Sequence, residues 1–171
     1  RASNQEGWGE WASPTLVLFQ DSAFAKMEDS ETLLTWGVAE DGRLGRGLEA
    51  MERGVCADAG AAKGLGGHLC SLALGSHSAA VTAEDQLYVW GTFMAEDANK
   101  ANSQDDTEDV DMLVEPGLQQ TAFSTHAVAC GRFATAVVSA EAQLYAWGPN
   151  EAFQCGVNSG RMLKSMTRLQ M

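Results

Sequence analysis

The residues able to do chemistry are few. His68, His77 and His126 are the only imidazoles. His77 stands between two hydroxyls in Ser76-His77-Ser78, which invites a nucleophile-and-base reading. A hydrolase serine sits in a Gly-x-Ser-x-Gly elbow that turns the chain sharply enough to expose the hydroxyl. Neither serine has that frame, so His77 is read as a packing residue. His126 and Cys130 lie four apart, and on an extended strand that is about 13 Å, too far for a shared metal. Cys56, Cys70, Cys130 and Cys155 contain no Cys-x-x-Cys pair. A zinc site would be tighter and a disulfide framework denser. They are read as four buried or neutral thiols in an intracellular, reducing compartment. Residues 60–67, Gly-Ala-Ala-Lys-Gly-Leu-Gly-Gly, place Lys63 before its glycine. A phosphate loop needs Gly-Lys-Ser/Thr, so this is a flexible loop. The sequence therefore assigns no catalytic, metal or cofactor-binding residue and no cofactor.

One cluster retains a chemical character. Between residues 96 and 115 stand Glu96, Asp97, Asp105, Asp106, Glu108, Asp109, Asp111 and Glu115, against Lys100 alone. A calcium loop starting at Asp105 would need glycine at its sixth position and glutamate at its twelfth. Val110 and Pro116 stand there instead. What remains is attraction for a basic partner, with Asp105, Asp106, Glu108, Asp109 and Asp111 as candidate partner-binding residues in an acidic insertion over 92–112. The whole chain is acidic too. In 171 residues, 11 Lys and Arg face 23 Asp and Glu, a net charge of −12. Such a chain is a poor partner for a phosphate backbone or an anionic membrane, which argues against direct nucleic-acid binding. No apolar run of about 18 residues is present, so no spanning helix is expected.

The elements that must position these residues come from a repeat. Residues 73–91 open Ala73-Leu74-Gly75 and end Ala83-Glu84-Asp85-Gln86-Leu87-Tyr88-Val89-Trp90-Gly91. Residues 129–148 open Ala129-Cys130-Gly131 and end Ala140-Glu141-Ala142-Gln143-Leu144-Tyr145-Ala146-Trp147-Gly148. A weaker copy ends Thr32-Leu33-Leu34-Thr35-Trp36-Gly37, so Trp-Gly pairs recur at 36, 90 and 147. Gly45 and Gly156 each lie nine residues beyond their tryptophan, at the end of a turn that the middle copy lacks. Runs 78–82 and 86–90, and 135–139 and 143–147, are each separated by three residues and read as hairpins. Alternation puts Leu87 and Val89 on one face and Tyr88 and Trp90 on the other. Both faces are apolar, as where sheets stack. Further strands are expected at Thr15–Phe19, 23–27 and Thr125–Cys130, and one short helix within 48–62.

These motifs resemble the regulator of chromosome condensation repeat family. Its pattern is an Ala-x-Gly opening, a hairpin, an aromatic-x-Trp-Gly strand end and a Gly-x-Leu-Gly turn, here Gly42-Arg43-Leu44-Gly45. The resemblance runs from about residue 16 to 156. It departs at Asp21, which stands where Gly75 and Gly131 stand, and at Phe153 and Cys155 in the last turn. It implies an all-β propeller of about three blades, partial because closure takes about four to eight. The chain is read as one repeat domain, 1–171, whose units end near Trp36, Trp90 and Trp147. Trp36, Gly37, Gly75, Trp90, Gly91, Gly131, Trp147 and Gly148 are its structural repeat residues. The missing initiator Met and the short arc lead to an expectation of a longer propeller, or of blades supplied from elsewhere. Residues 157–171, with Arg161, Lys164 and Arg168 and no acid, are a basic contact or the start of a further blade.

Two functions follow. One is a non-enzymatic scaffold, a propeller module holding other protein subunits, some with basic surfaces. The other, implied by the resemblance, is a guanine nucleotide exchange factor for a small Ran-type GTPase. Exchange needs an element projecting into the nucleotide site, and only 92–112 and 48–67 are loops of suitable length. The first brings carboxylates toward phosphates. Ordering the second costs about 1–2 kcal/mol per residue. The scaffold is the favoured expectation.

Overall fold

The computed structural model describes residues 15–19, 22–26, 32–94 and 110–170. They form three four-stranded antiparallel sheets. The first contains β1 (Thr15–Phe19), β2 (Ser22–Lys26), β3 (Leu33–Val38) and β4 (Val55–Ala61). A short helix, α1 (Leu48–Glu52), lies between its last two strands. The second contains β5 (Leu69–Leu74), β6 (His77–Thr82), β7 (Leu87–Met94) and β8 (Val110–Gln119). The third contains β9 (Thr125–Cys130), β10 (Thr135–Ser139), β11 (Leu144–Gly148) and β12 (Leu163–Arg168). Each sheet is a meander in chain order. The first strands adjoin one another, β1 beside β5 and β5 beside β9, which sets the sheets as successive blades.

The Trp-Gly pair marks the same irregularity in every blade. The glycines have φ of +102° at Gly37, +91° at Gly91 and +113° at Gly148, values that a side chain strongly disfavours. Register against the fourth strand shifts there each time. Thr35 faces Gly60 while Gly37 faces Cys56; Val89 faces Gly117 while Gly91 faces Leu113; Ala146 faces Thr167 while Gly148 faces Leu163. Two steps along the third strand thus match four along the fourth. Such a bulge bends the strand and re-aims the neighbouring side chain.

Two cores lie between the blades. The first joins Leu33, Ala39, Leu44, Ala50 and Cys56 to Leu69, Leu74, Ala80 and Trp90. The second joins Ala73, Ala79, Val81, Leu87, Val89 and Phe93 to Val128, Val137 and Trp147. The second blade is therefore covered on both faces, and the alternation of β7 divides as its sequence predicts. Trp90 and the half-buried Tyr88 join the first core, Leu87 and Val89 the second. Leu87, Val89 and Trp90 are all 0% exposed.

Four expectations change. The helix within 48–62 stops at Glu52, because Gly54 takes φ +70°. Val55–Ala61 is instead the outer strand of the first blade. Of its residues only Cys56 is buried, so no alternation announces it. The insertion over 92–112 narrows, since β7 runs on to Met94 and β8 returns from Val110. Residues 157–171 contain the outer strand of the third blade: β12 pairs with β11 through Tyr145↔Arg168 and Ala146↔Thr167. The cysteines divide, with Cys56 and Cys155 buried, Cys130 half-buried and Cys70 exposed, all free thiols. Asp21 lies outside the described residues.

The burial of the tryptophans sets an order of stability. Trp90→Ala and Trp147→Ala, at 0% and 2% exposure, should each lower unfolding free energy by about 3–5 kcal/mol. Trp36→Ala should cost less, because Trp36 is only half-buried. Urea unfolding midpoints check the order, and equal midpoints for all three would contradict it.

Candidate functional site

Ser78, His77 and Thr135, three of the buried polar residues, sit at the joints between blades. After Trp36 the chain makes the turn Gly42-Arg43-Leu44-Gly45, with Gly42 at φ +72° and Gly45 at φ +65°. Space excludes side chains there as well. A Cβ on Gly42 would come 2.7 Å from the Leu113 carbonyl oxygen, and one on Gly45 2.9 Å from Trp90 Nε1. Within the first blade, buried Thr35 donates its hydroxyl to the Leu44 carbonyl at 2.9 Å. The neighbouring Arg43 carbonyl accepts two donors from the second blade, Trp90 Nε1 and Ser78 Oγ, each at 3.0 Å. A buried indole N–H left unsatisfied costs about 1–3 kcal/mol, so this turn is the seat of the next blade's tryptophan. Gly47 N–H to the Val114 carbonyl at 2.9 Å, and Lys63 to Glu115 at 3.7 Å, tie the turn and the following loop to β8.

The second joint uses a histidine. His77 Nε2 and Thr135 Oγ1 lie 2.7 Å apart and both residues are buried. Beside them Gly75 and Gly131 meet backbone to backbone, where a Cβ on Gly75 would run into the Gly131 carbonyl oxygen. The Ser71 hydroxyl accepts from Val128 N–H at 3.2 Å. Burial pushes the His77 pKa down to about 4, against a smaller opposing effect of the nearby Arg132 backbone, and its buried Nδ1 finds no hydrogen-bond partner among the described residues. The imidazole is therefore neutral near neutrality and spans two blades, which is a packing role. Thr135 engages it; the flanking Ser78 points to Arg43.

The remaining sequence candidates scatter. Asp105, Asp106, Glu108 and Asp109 lie outside the described residues, and Asp111 pairs with Phe93 at the start of β8. His68, His126 and Cys70 are exposed. Burial raises the Cys130 thiol pKa, and burial with the nearby Glu151 charge raises that of Cys155. Both are thus protonated and poor ligands. Among the described residues no three His, Cys, Asp or Glu side chains could hold a metal ion. No described helix is long and apolar enough to cross a membrane. Arg161 is exposed, and Arg168 donates to the Gln143 side chain. Sequence reasoning missed the Arg43 carbonyl, because any residue supplies a carbonyl; the flanking glycines were its only signal.

No protein-family model matches the chain. The E3 ubiquitin-protein ligase HERC2 of Homo sapiens and that of Mus musculus are each 33% identical over 124 residues, 71% of this chain and 2% of the ligase. Among solved structures, yeast RCC1 (Prp20) bound to Kap60 superposes with a TM-score of 0.74 at 20% identity, covering 92% of this chain and 37% of that one. Prp20p of Saccharomyces cerevisiae, described with its binding properties to Gsp1p and histones, gives 0.74 at 21%, covering 92% and 38%. Human WBSCR16 gives 0.71 at 18%, covering 96% and 42%. The chain thus spans a small part of the ligase and about two-fifths of the solved proteins. Its three sheets are blades of a regulator-of-chromosome-condensation-type propeller, the resemblance already carried by the Trp-Gly repeats.

The His77 joint predicts a pH dependence. With a folded pKa near 4 and an unfolded value near 6.5, the unfolded chain binds the extra proton between them. Stability is then full above about pH 6.5 and falls as pH drops toward 4. His77→Gln should remove this component, so the gap between wild-type and variant unfolding midpoints narrows over that range. A gap constant with pH would show that His77 does not carry it.

Proposed function

We propose that the protein is a non-enzymatic scaffold, a propeller segment that presents an acidic insertion to a basic protein partner within a larger assembly. The observation that carries this reading is the division of labour along β7 and β8. The repeat residues are consumed in joints between blades, while residues 95–109, with six carboxylates against Lys100, leave and return through neighbouring paired strands. Met94 pairs with Val110 and Phe93 with Asp111. Charge supports a basic surface as the counterpart and opposes nucleic acid. The association of the yeast propellers with Kap60, Gsp1p and histones supports protein partners as a class.

The second reading is nucleotide exchange on a small Ran-type GTPase, favoured by the likeness to Prp20p. The fold itself does not decide activity. Against exchange stands the segment 48–67. Much of it is bound up in α1 and β4, with Ala62 and Leu65 packed on the first core. It is therefore unavailable as a projecting element. The free thiols of Cys56, Cys70, Cys130 and Cys155 support a reducing intracellular compartment as the place of work.

Two measurements test the reading. Replacing Asp105, Asp106, Glu108, Asp109 and Asp111 by their amides should leave the melting curve unchanged. It should weaken binding to a polylysine-coated surface at low salt by tenfold or more. Unchanged binding would remove the insertion from the interface. With a Ran-type GTPase loaded with fluorescent nucleotide, release should stay at the spontaneous rate. Catalysed release would replace the scaffold by the exchange factor.

A further inference from the structure

The first joint leaves unfilled a place that the second joint fills. At the end of the blades opposite the Gly42–Gly45 turn, the linker into each blade runs beside a hairpin of that blade. Ala83 N–H donates to the His68 carbonyl at 2.7 Å and Ala140 N–H to the Ser124 carbonyl at 2.8 Å. The two linkers are therefore equivalent, and Gly67 stands where Phe123 stands. Phe123 stacks on Tyr145, with ring centroids 4.0 Å apart and planes 15° from parallel. Tyr88 is the repeat counterpart of Tyr145, and no ring of a described residue stacks on it. It is half-buried, and Leu118, its partner across the strand pair, is 45% exposed.

Glycine keeps the place open. A Cβ on Gly66 would meet no atom within 4 Å, and the three atoms nearest to one on Gly67 all belong to the Glu84 carboxyl group, at 2.7, 3.4 and 3.6 Å. Gly67 also takes φ +80°, a conformation that disfavours any side chain. A ring on this residue would be strained, as the one on Phe123 is not. Glu84 is exposed and forms no ion pair with a described residue, and Asp85 follows it in the hairpin.

We propose that this place docks an aromatic side chain of a protein partner, with a basic residue beside it. The second joint defines the ring, because stacking on the repeat tyrosine is what the chain itself builds where it has an aromatic to offer. Stacked rings gain attraction beyond the burial of their area. Leu65 packs on the first core together with Tyr88, so the docked ring extends an apolar surface already begun. Charge defines the neighbour. The Glu84 carboxyl group stands beside Gly67, so a cation next to the ring meets a carboxylate that no described cation pairs, and an acidic partner is repelled. The site lies at the far end of β7 from Met94, where residues 95–109 depart. It is a second contact, which goes beyond the scaffold reading and needs no residue of the acidic insertion.

Titration of the isotope-labelled 171-residue chain with acetyl-Lys-Phe-Lys-amide, followed by backbone amide NMR shifts, tests the site. Saturable shifts are expected at residues 63–68, 84–88 and 117–119. The same peptide with leucine for phenylalanine should bind about fivefold more weakly, as loss of a stacked pair warrants, and one with glutamate for both lysines should not bind. Glu84→Gln, at an exposed position, should weaken the phenylalanine peptide by a similar factor with the fold unchanged. Tyr88→Leu should erase the preference for phenylalanine over leucine. No saturable shift, equal binding of the leucine peptide or an unaltered affinity in Glu84→Gln would each overturn the proposal. Shifts confined to the flanks of 95–109 would also overturn it, while leaving the scaffold reading in place.

Discussion

The structure turns on one carbonyl group. Arg43 C=O, held by its glycine-flanked turn, accepts both the Trp90 indole and the Ser78 hydroxyl across the first joint. The carbonyl gives an acceptor to an indole N–H that burial takes out of water. The Trp-Gly bulge supplies the other half of the arrangement. A glycine near φ +100° lets the third strand step out of register and re-aim the tryptophan that precedes it. Apolar packing gives most of the energy of the joint, and the shared carbonyl gives its register. This division suits a repeat, because a backbone atom is available whatever side chain stands at position 43.

The second joint reaches the same end by different means. The acidic insertion follows Trp90 in place of the turn, so the third blade finds no glycine-flanked carbonyl there. His77 and Thr135 bridge the blades instead, beside the close approach of Gly75 and Gly131. A neutral imidazole can serve as donor or acceptor, which makes it a workable substitute inside a dry interface. The cost is a group that gains a proton in mild acid when unfolded and resists it when folded. The two joints are thus alike in apolar content and differ in polar chemistry.

Much of this was legible in the residues. The paired runs around Trp90 and Trp147 alternate cleanly, and their two apolar faces told of stacking on both sides. The fourth strands were not legible. β4 is exposed at all but Cys56 and one half-covered glycine, and β12 carries no fully buried residue. Edge strands of this sort are fixed by pairing to a neighbour, which leaves little mark on side-chain pattern. Residues 48–62 read as helical because Ala and Glu favour helix, but Gly54 ended the helix and sheet pairing took the rest. The polar joints were half legible. Gly42, Gly45, Gly75 and Gly131 were visible as repeat residues, while their acceptors were main-chain atoms that no residue type announces.

The pairing of Met94 with Val110 fixes a geometric boundary on whatever the insertion touches. Residues 95–109 join Met94 to its paired neighbour Val110, so the chain must return to the edge it left. At no more than about 3.6 Å per residue, no point between them can lie more than about 29 Å from the rim of the second blade. The six carboxylates of this stretch lie within that radius, and their field fades within about 8–10 Å in physiological salt. On the proposed scaffold reading, a partner would feel the charge only once it had come alongside the blade itself. Charge of such short reach would leave the choice of partner to the shape of the surface beneath.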